Sequence, residues 1–239
     1  MLKALLSSGA VLSLAAGAYA YGAMWPGSQA FGRTIIASAD PDEFALTYDD
    51  GPNDPHTYRL LDLLAQHQVR ATFFLIGRFV RQRPEIARAI AEAGHLIGNH
   101  TMTHPLLVLR SLAEVRRELA GCNAALEDAL GQPVRFFRPP HGGRRPDVLR
   151  SARELGLAPV MWNAMGYDWR PTTPQQIFAN VEKGIARNRR RGVGSNILLH
   201  DGGQASVGQD RSATLEATAL LLEKYASSVR FITPEAMVG

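Results

Sequence analysis

The chain of 239 residues has a single cysteine, Cys122, which excludes any intrachain disulfide. Cys122 falls among Leu112, Val115, Leu119, Leu126 and Leu130, which step by threes and fours, and it reads as one more apolar residue on the buried stripe of a helix. No internal repeat, low-complexity tract or linker interrupts the sequence, so nothing divides its main part into separate domains. Charge is modest: 20% of residues carry it and the formal net charge is +4. That imbalance suits an acidic or polyhydroxylated partner and does not call for nucleic acid. The basic cluster Arg187, Arg189, Arg190 and Arg191 reads as a solvated helix end, where cations favour the dipole. Charge is absent altogether from Ala4 to Gly32. This stretch follows Lys3, is rich in Ala, Leu and Gly as far as Trp25, and contains Ala18-Tyr19-Ala20, a pattern of the kind signal peptidase cuts. It is also just long enough to span a bilayer. Residues 1–32 are therefore expected to be a signal peptide, or an N-terminal membrane anchor, plus linker. The expected product is exported: periplasmic, secreted or held at the membrane by its N-terminus. Residues 33–239 form the folded domain.

Apolar residues make up 46% of the chain, enough for a sizeable core. Strand-like and helix-like segments alternate along it. Strands are expected at residues 44–48, 70–75, 95–99, 135–137, 158–162, 196–200 and 229–232. The intervening helices are expected at residues 56–68, 84–93, 111–130, 146–155, 174–190 and 212–225. Asp54-Pro55 offers an N-cap and a first-turn proline to the first helix. Ser111 and Glu114 form a capping box for the longest, and Gly131 stops it. The alternation predicts parallel strands with helical crossovers, an α/β fold. Seven strands in about 200 residues suit a closed or nearly closed barrel, whose functional groups gather at the C-terminal strand ends.

Five stretches put polar side chains at or just beyond the end of an expected strand: Asp49-Asp50, His100 to His104, Arg138 to Gly142, Asp168-Trp169 a few residues beyond Trp162, and His200-Asp201. The chain has seven histidines, and His100, His104, His141 and His200 fall at these positions. His67 and His95 read as surface or edge residues. Adjacent carboxylates at Asp49 and Asp50 oppose each other's ionisation unless a cation relieves them. His100 and His104, four apart, can share one face of a helical turn and bind one metal. Two imidazoles and one carboxylate leave coordination positions open for water. A metal there acidifies its water and polarises a carbonyl. The second carboxylate can take the water's proton, a separate His can protonate a leaving nitrogen, and Arg138 can orient the base. This chemistry hydrolyses an amide or an ester. The same donors could hold Fe(II) for oxygen chemistry, which has less need of the extra acid and base.

From Phe44 to Ile232 the chain resembles the NodB-type polysaccharide deacetylases, carbohydrate esterase family four. Thr47-Tyr48-Asp49-Asp50-Gly51-Pro52, His100-Thr101-Met102-Thr103-His104, Arg138-Pro139-Pro140-His141-Gly142, Asp168-Trp169 and Leu198-Leu199-His200-Asp201 match the family's five motifs in order. The resemblance implies a distorted (β/α)7-type barrel, the NodB homology domain. It implies removal of N-acetyl groups from a GlcNAc-containing glycan (peptidoglycan, chitin oligomers or exopolysaccharide) with a divalent metal, commonly zinc, with cobalt, nickel or manganese as alternatives. Carried over by motif, Asp49 is the base, His200 the acid and Arg138 the residue that holds Asp49. Asp50, His100 and His104 are the ligands. Trp169 and Leu198 wall the acetyl pocket, the His141 N–H helps bind the oxyanion, and Pro139 and Pro140 accompany His141 in contacting substrate. An O-acetyl esterase, a small-amide hydrolase and an inactive glycan binder are the other readings of the same fold. Two positions depart from the family pattern. His141 stands where Tyr is usual. Met165 stands four residues before Trp169, where the family has the Asp that pairs with the acid His. The resemblance thus leaves His200 without its usual partner, and it does not make Asp168 the substitute.

Overall fold

The computed structural model describes residues 15–237. Its strands are β1 (Glu43–Gly51), β2 (Thr72–Leu75), β3 (Leu96–Asn99), β4 (Phe136–Phe137), β5 (Ala158–Pro159), β6 (Ala164–Met165), β7 (Ser195–His200) and β8 (Arg230–Phe231). The helices are α1 (His56–Gln66), α2 (Gly77–Gln82), α3 (Pro84–Glu92), α4 (Leu112–Leu130), α5 (Pro146–Glu154), α6 (Pro174–Arg190) and α7 (Ser212–Tyr225). Residues 15–24 are also helical. The strands run parallel in the order β5-β4-β3-β2-β1-β7-β6, with β8 on the first residues of β1. The sheet curls into a half-barrel ringed by helices. No ladder joins β5 to β6, and the chain before β1 reaches in there, where Ile35 bridges Val160.

Strand alternation sorts the side chains of this sheet. Leu46, Tyr48, Phe73, Leu75, Ile197 and Leu199 point outward and merge with Leu60, Leu64, Ile86, Leu119, Cys122 and Val181 of the helices into the main core. Each such side chain contributes roughly 1.5–3 kcal/mol on burial. Their neighbours point into the barrel. Phe74 packs there with Phe136 and Val160, and Leu198 with Met161 and Trp162. The interior also holds buried polar groups, among them Thr47, Asp49 and Arg138.

Several expected elements take a different form. β1 runs on to Gly51, so the two acids lie within the strand. The expected strand at 158–162 ends at Pro159, and a separate short strand, β6, follows it. Helix α2 has too few residues for its periodicity to register. Asp54 does not cap α1, whose N-cap is Pro55 with no side-chain bond; the Asp54 carboxylate accepts from Arg83 instead, at 2.7 Å. His95 is buried, and its Nδ1 accepts from the Ala71 N–H at 3.2 Å. The capping box on α4 is present, with Gly131 left-handed at φ 69°.

Candidate active site

Asp49 and His200 are register partners on β1 and β7, and Thr47 pairs in the same way with Leu198. Neighbours in register share a face, so all four side chains enter the barrel together. Asp50 should then point away. A register irregularity between Asp49 and Gly51 and a left-handed Asp50 (φ 71°) turn it back, so that consecutive carboxylates serve one site. Close approach fixes this bend. A Cβ on Gly202 would lie 2.1 Å from the Asp50 carbonyl oxygen, so only glycine fits there.

Arg138 follows β4 and is fully buried beneath Asp49. One terminal nitrogen donates to Asp49 Oδ1 and to Thr47 Oγ1, each at 2.7 Å. The remaining donors reach the carbonyls of Val160 and Met161 at 3.4 and 3.2 Å. Phe74 stacks 4.2 Å from the guanidinium carbon. Burial works against the guanidinium's charge, and Asp49 supplies the compensating one. Asp49 Oδ2 stays clear of Arg138 and lies 3.6 Å from His100 Nε2.

His100 and His104 do not sit on a helical turn. His100 directly follows β3, and an irregular segment with Thr101 (φ 67°) and His104 (φ 62°) left-handed brings His104 back beside it. Asn99 Oδ1 accepts from the Thr101 N–H at 2.7 Å and Thr101 Oγ1 from the His104 N–H at 3.0 Å. The Glu118 carboxylate on α4 clamps Thr103. His100 Nδ1 lies 2.7 Å from the Arg138 carbonyl and His104 Nδ1 2.8 Å from Gln204 Oε1. Those oxygens only accept, so each Nδ1 carries the proton and each Nε2 keeps its lone pair. Both Nε2 atoms face Asp50 Oδ1, at 3.4 and 3.0 Å. Asp50 Oδ1 is buried and accepts no hydrogen bond. The three donor atoms lie within 4.8 Å of one another. A lone-pair pocket of two imidazoles and an orphaned carboxylate oxygen fits a divalent cation.

His200 does have a carboxylate partner, and it is Asp168. Asp168 Oδ1 lies 2.8 Å from His200 Nδ1, and Oδ2 accepts from the His200 backbone N–H and the Thr214 hydroxyl, both at 2.8 Å. Burial disfavours the imidazolium, but Asp168, joined by the charges of Asp50 and Asp49, outweighs it, and together they push the His200 pKa up to about 9. The same pairing lowers the pKa of Asp168 against its own burial. Met165 lines the cavity instead of supplying a charge.

These groups surround a cavity of about 540 Å³. The polysaccharide deacetylase profile matches residues 37–160, more than half of the chain. The chain belongs to the polysaccharide deacetylase family. It is 43% identical to a chitooligosaccharide deacetylase of Sinorhizobium fredii over 66% of this chain and 71% of that one. It is 34% identical to a peptidoglycan-N-acetylglucosamine deacetylase of Bacillus cereus over 79% of this chain and 84% of that one. The crystal structure of a peptidoglycan N-acetylglucosamine deacetylase in complex with an N-hydroxybenzamide superimposes with a TM-score of 0.76 at 31% identity, covering 85% of this chain and 91% of that one.

Within this member of the polysaccharide deacetylase family the remaining expected residues take varied places. Leu198 and the half-exposed Trp169 line the cavity, and the Trp169 ring stands edge-on to His200 at 5.5 Å. His141 lines it too, left-handed at φ 57°, its ring 4.7 Å from that of His104. In its turn the Gly142 and Gly143 N–H groups are engaged at 3.0 Å, whereas among the described residues none accepts from the His141 N–H. Pro139 and Pro140 are buried and take no part in the cavity lining; they shape the turn that presents His141. Met24, Pro26, Gln204 and Arg211 line the cavity without having been anticipated. Met24 and Pro26 come from the charge-free N-terminal stretch. Buried Arg144 holds that stretch by donating to the carbonyls of Trp25 and Ser28 at 2.6 and 2.8 Å, and its own N–H bonds the Ala23 carbonyl at 3.0 Å.

Proposed function

We propose that this chain is an exported metal-dependent N-deacetylase of GlcNAc-containing glycans. The observation that carries the reading is the pair Asp49 and His200, in register on adjacent strands beside the Asp50–His100–His104 cluster, one held by Arg138 and the other by Asp168. Asp50, His100 and His104 would hold the cation, zinc before cobalt, nickel or manganese, which when bound supplies an acidified water and a polarised acetyl carbonyl. Asp49 takes the proton of the attacking water through its free Oδ2. The His141 N–H donates to the oxygen that gains charge as water adds to the acetyl carbon. His200, charged at neutral pH, protonates the sugar nitrogen as the C–N bond breaks, and acetate and a free amine leave. Leu198, Trp169 and Met165 form the apolar wall for the acetyl methyl. The relatives named for chitooligosaccharide and peptidoglycan support a GlcNAc substrate.

Among the described residues no helix is long and apolar enough to cross a membrane. Residues 1–14 of the expected signal or anchor lie outside the described residues. The deciding experiment is acetate release by the metal-replete full chain from GlcNAc oligomers, peptidoglycan and acetylated xylan. Asp50→Ala serves as the control. Release from the first two that vanishes in the variant is expected. Release from xylan alone would make the chain an O-acetyl esterase, and glycan binding without release from any substrate would make it a binding protein.

A further inference from the structure

A second cavity, of about 520 Å³, shares Pro26, Trp162 and Met165 with the catalytic one and opens onto α6. Lys183, Arg187 and Arg191 line it. Their spacing of four residues puts them on one stripe of the helix end. All three are exposed, and no acidic side chain lines the cavity. Two of the cations nearby are matched: Arg189 pairs with Asp42 and Lys224 with Glu182. Among the described residues no carboxylate pairs with Lys183, Arg187 or Arg191. Arg187 donates only to the neutral Asn163 carbonyl. Like charges four apart cost a helix about 0.2–0.5 kcal/mol per pair. The dipole at this helix end offsets part of that cost, and an anion between the charges would reverse it. The exposed rings of Trp25 and Tyr167 line the same cavity and offer apolar faces to a sugar.

A neutral oligomer would leave three unpaired cations idle beside the bound glycan. We propose that this cleft is a subsite for a carboxylate carried by the glycan next to the sugar being deacetylated, so that acidic glycans bind in preference to neutral ones. The inference rests on the deacetylase reading for which sugar occupies the neighbouring cavity. The carboxylate could be borne on the sugar itself or on an attached peptide. Calorimetric titration of the full chain separates these, using a GlcNAc tetramer, an oligomer with lactyl ether carboxylates on alternate sugars, and the same oligomer with those carboxylates amide-linked to an acidic peptide. One or both acidic ligands should bind about five- to tenfold tighter than the neutral one at low salt, the advantage shrinking toward molar salt. The double variant Lys183→Ala/Arg191→Ala should lose that preference and keep its affinity for the neutral tetramer. The acidic ligand that shows the preference identifies the source of the carboxylate. Equal binding of all three, or a preference that persists in the double variant, would overturn the proposal. Acetate release followed in parallel keeps the two readings apart. Intact preference without any release counts against the deacetylase and leaves the subsite standing.

Discussion

Asp49 and His200 stand opposite each other in the β1–β7 ladder, and each is backed by a buried counter-charge, Arg138 at 2.7 Å and Asp168 at 2.8 Å. The two sides are built alike but with opposite sign: a cation holds the proposed base and an anion holds the proposed acid. Each half can be perturbed separately.

Removing the anion should disarm the acid. In Asp168→Asn the His200 pKa should fall from about 9 toward its ordinary 6.5. The basic limb of the kcat/KM profile should move down with it, and activity at pH 8 should drop about 30-fold as the protonated fraction of His200 falls. Stability follows by linkage. The raised His200 pKa contributes stability that is complete below 6.5 and lost as pH rises through about 9. The lowered Asp168 pKa contributes stability present above 3.8 and lost as pH falls through its folded value. The wild-type advantage over Asp168→Asn should therefore be largest between these limits and fade on either side, as read by thermal unfolding across pH.

Removing the cation should cost stability first. Arg138→Ala leaves Asp49 buried beside an empty space, and breaking such a pair costs about 3–5 kcal/mol. A large fall in Tm is expected. Arg138→Lys keeps the charge but loses the planar fork that serves Asp49, Thr47 and two carbonyls together. It should fold, bind metal, and lose kcat with little change in KM.

Gly202→Ala tests the bend at Asp50. The added methyl must push the Asp50 carbonyl aside, because 2.1 Å is far inside contact distance. The carboxylate should swing away from His100 and His104. Metal affinity measured by chelator competition should fall at least tenfold, while the core on the other face of β1 keeps the fold.

Arg144→Ala should free the segment that forms the outer wall of both cavities. The carbonyls of Trp25 and Ser28 would lose a charged donor, at about 1–3 kcal/mol each. Limited proteolysis should then cut between Tyr21 and Ser28 at rates the parent chain does not show. KM for glycan should rise more than kcat falls.

Most of the polar groups at the strand ends were legible in the sequence because they follow an apolar run with a turn signal behind it. The helices were legible from stripes such as that of α4. What escaped reading depends on contacts between distant residues. Asp168 meets His200 and Thr214 only after β6 and β7 have paired, and counting back from Trp169 pointed to Met165 instead. His95 carries no local mark of burial, since its cover comes from Phe73 and Ala71 on another segment. Lack of charge marks the N-terminal stretch as signal, anchor or linker, yet it meets Arg144 more than a hundred residues away. Its role is carried by backbone carbonyls, which composition does not reveal.

His100 and His104 have the spacing of a helical pair but come together off a strand end, through two left-handed residues. Copying the five residues onto a helix of another scaffold would reproduce the letters and lose the arrangement. The portable unit is larger: the end of β3, the Asn99 and Glu118 clamps, and the Arg138 and Gln204 oxygens that set each imidazole's tautomer.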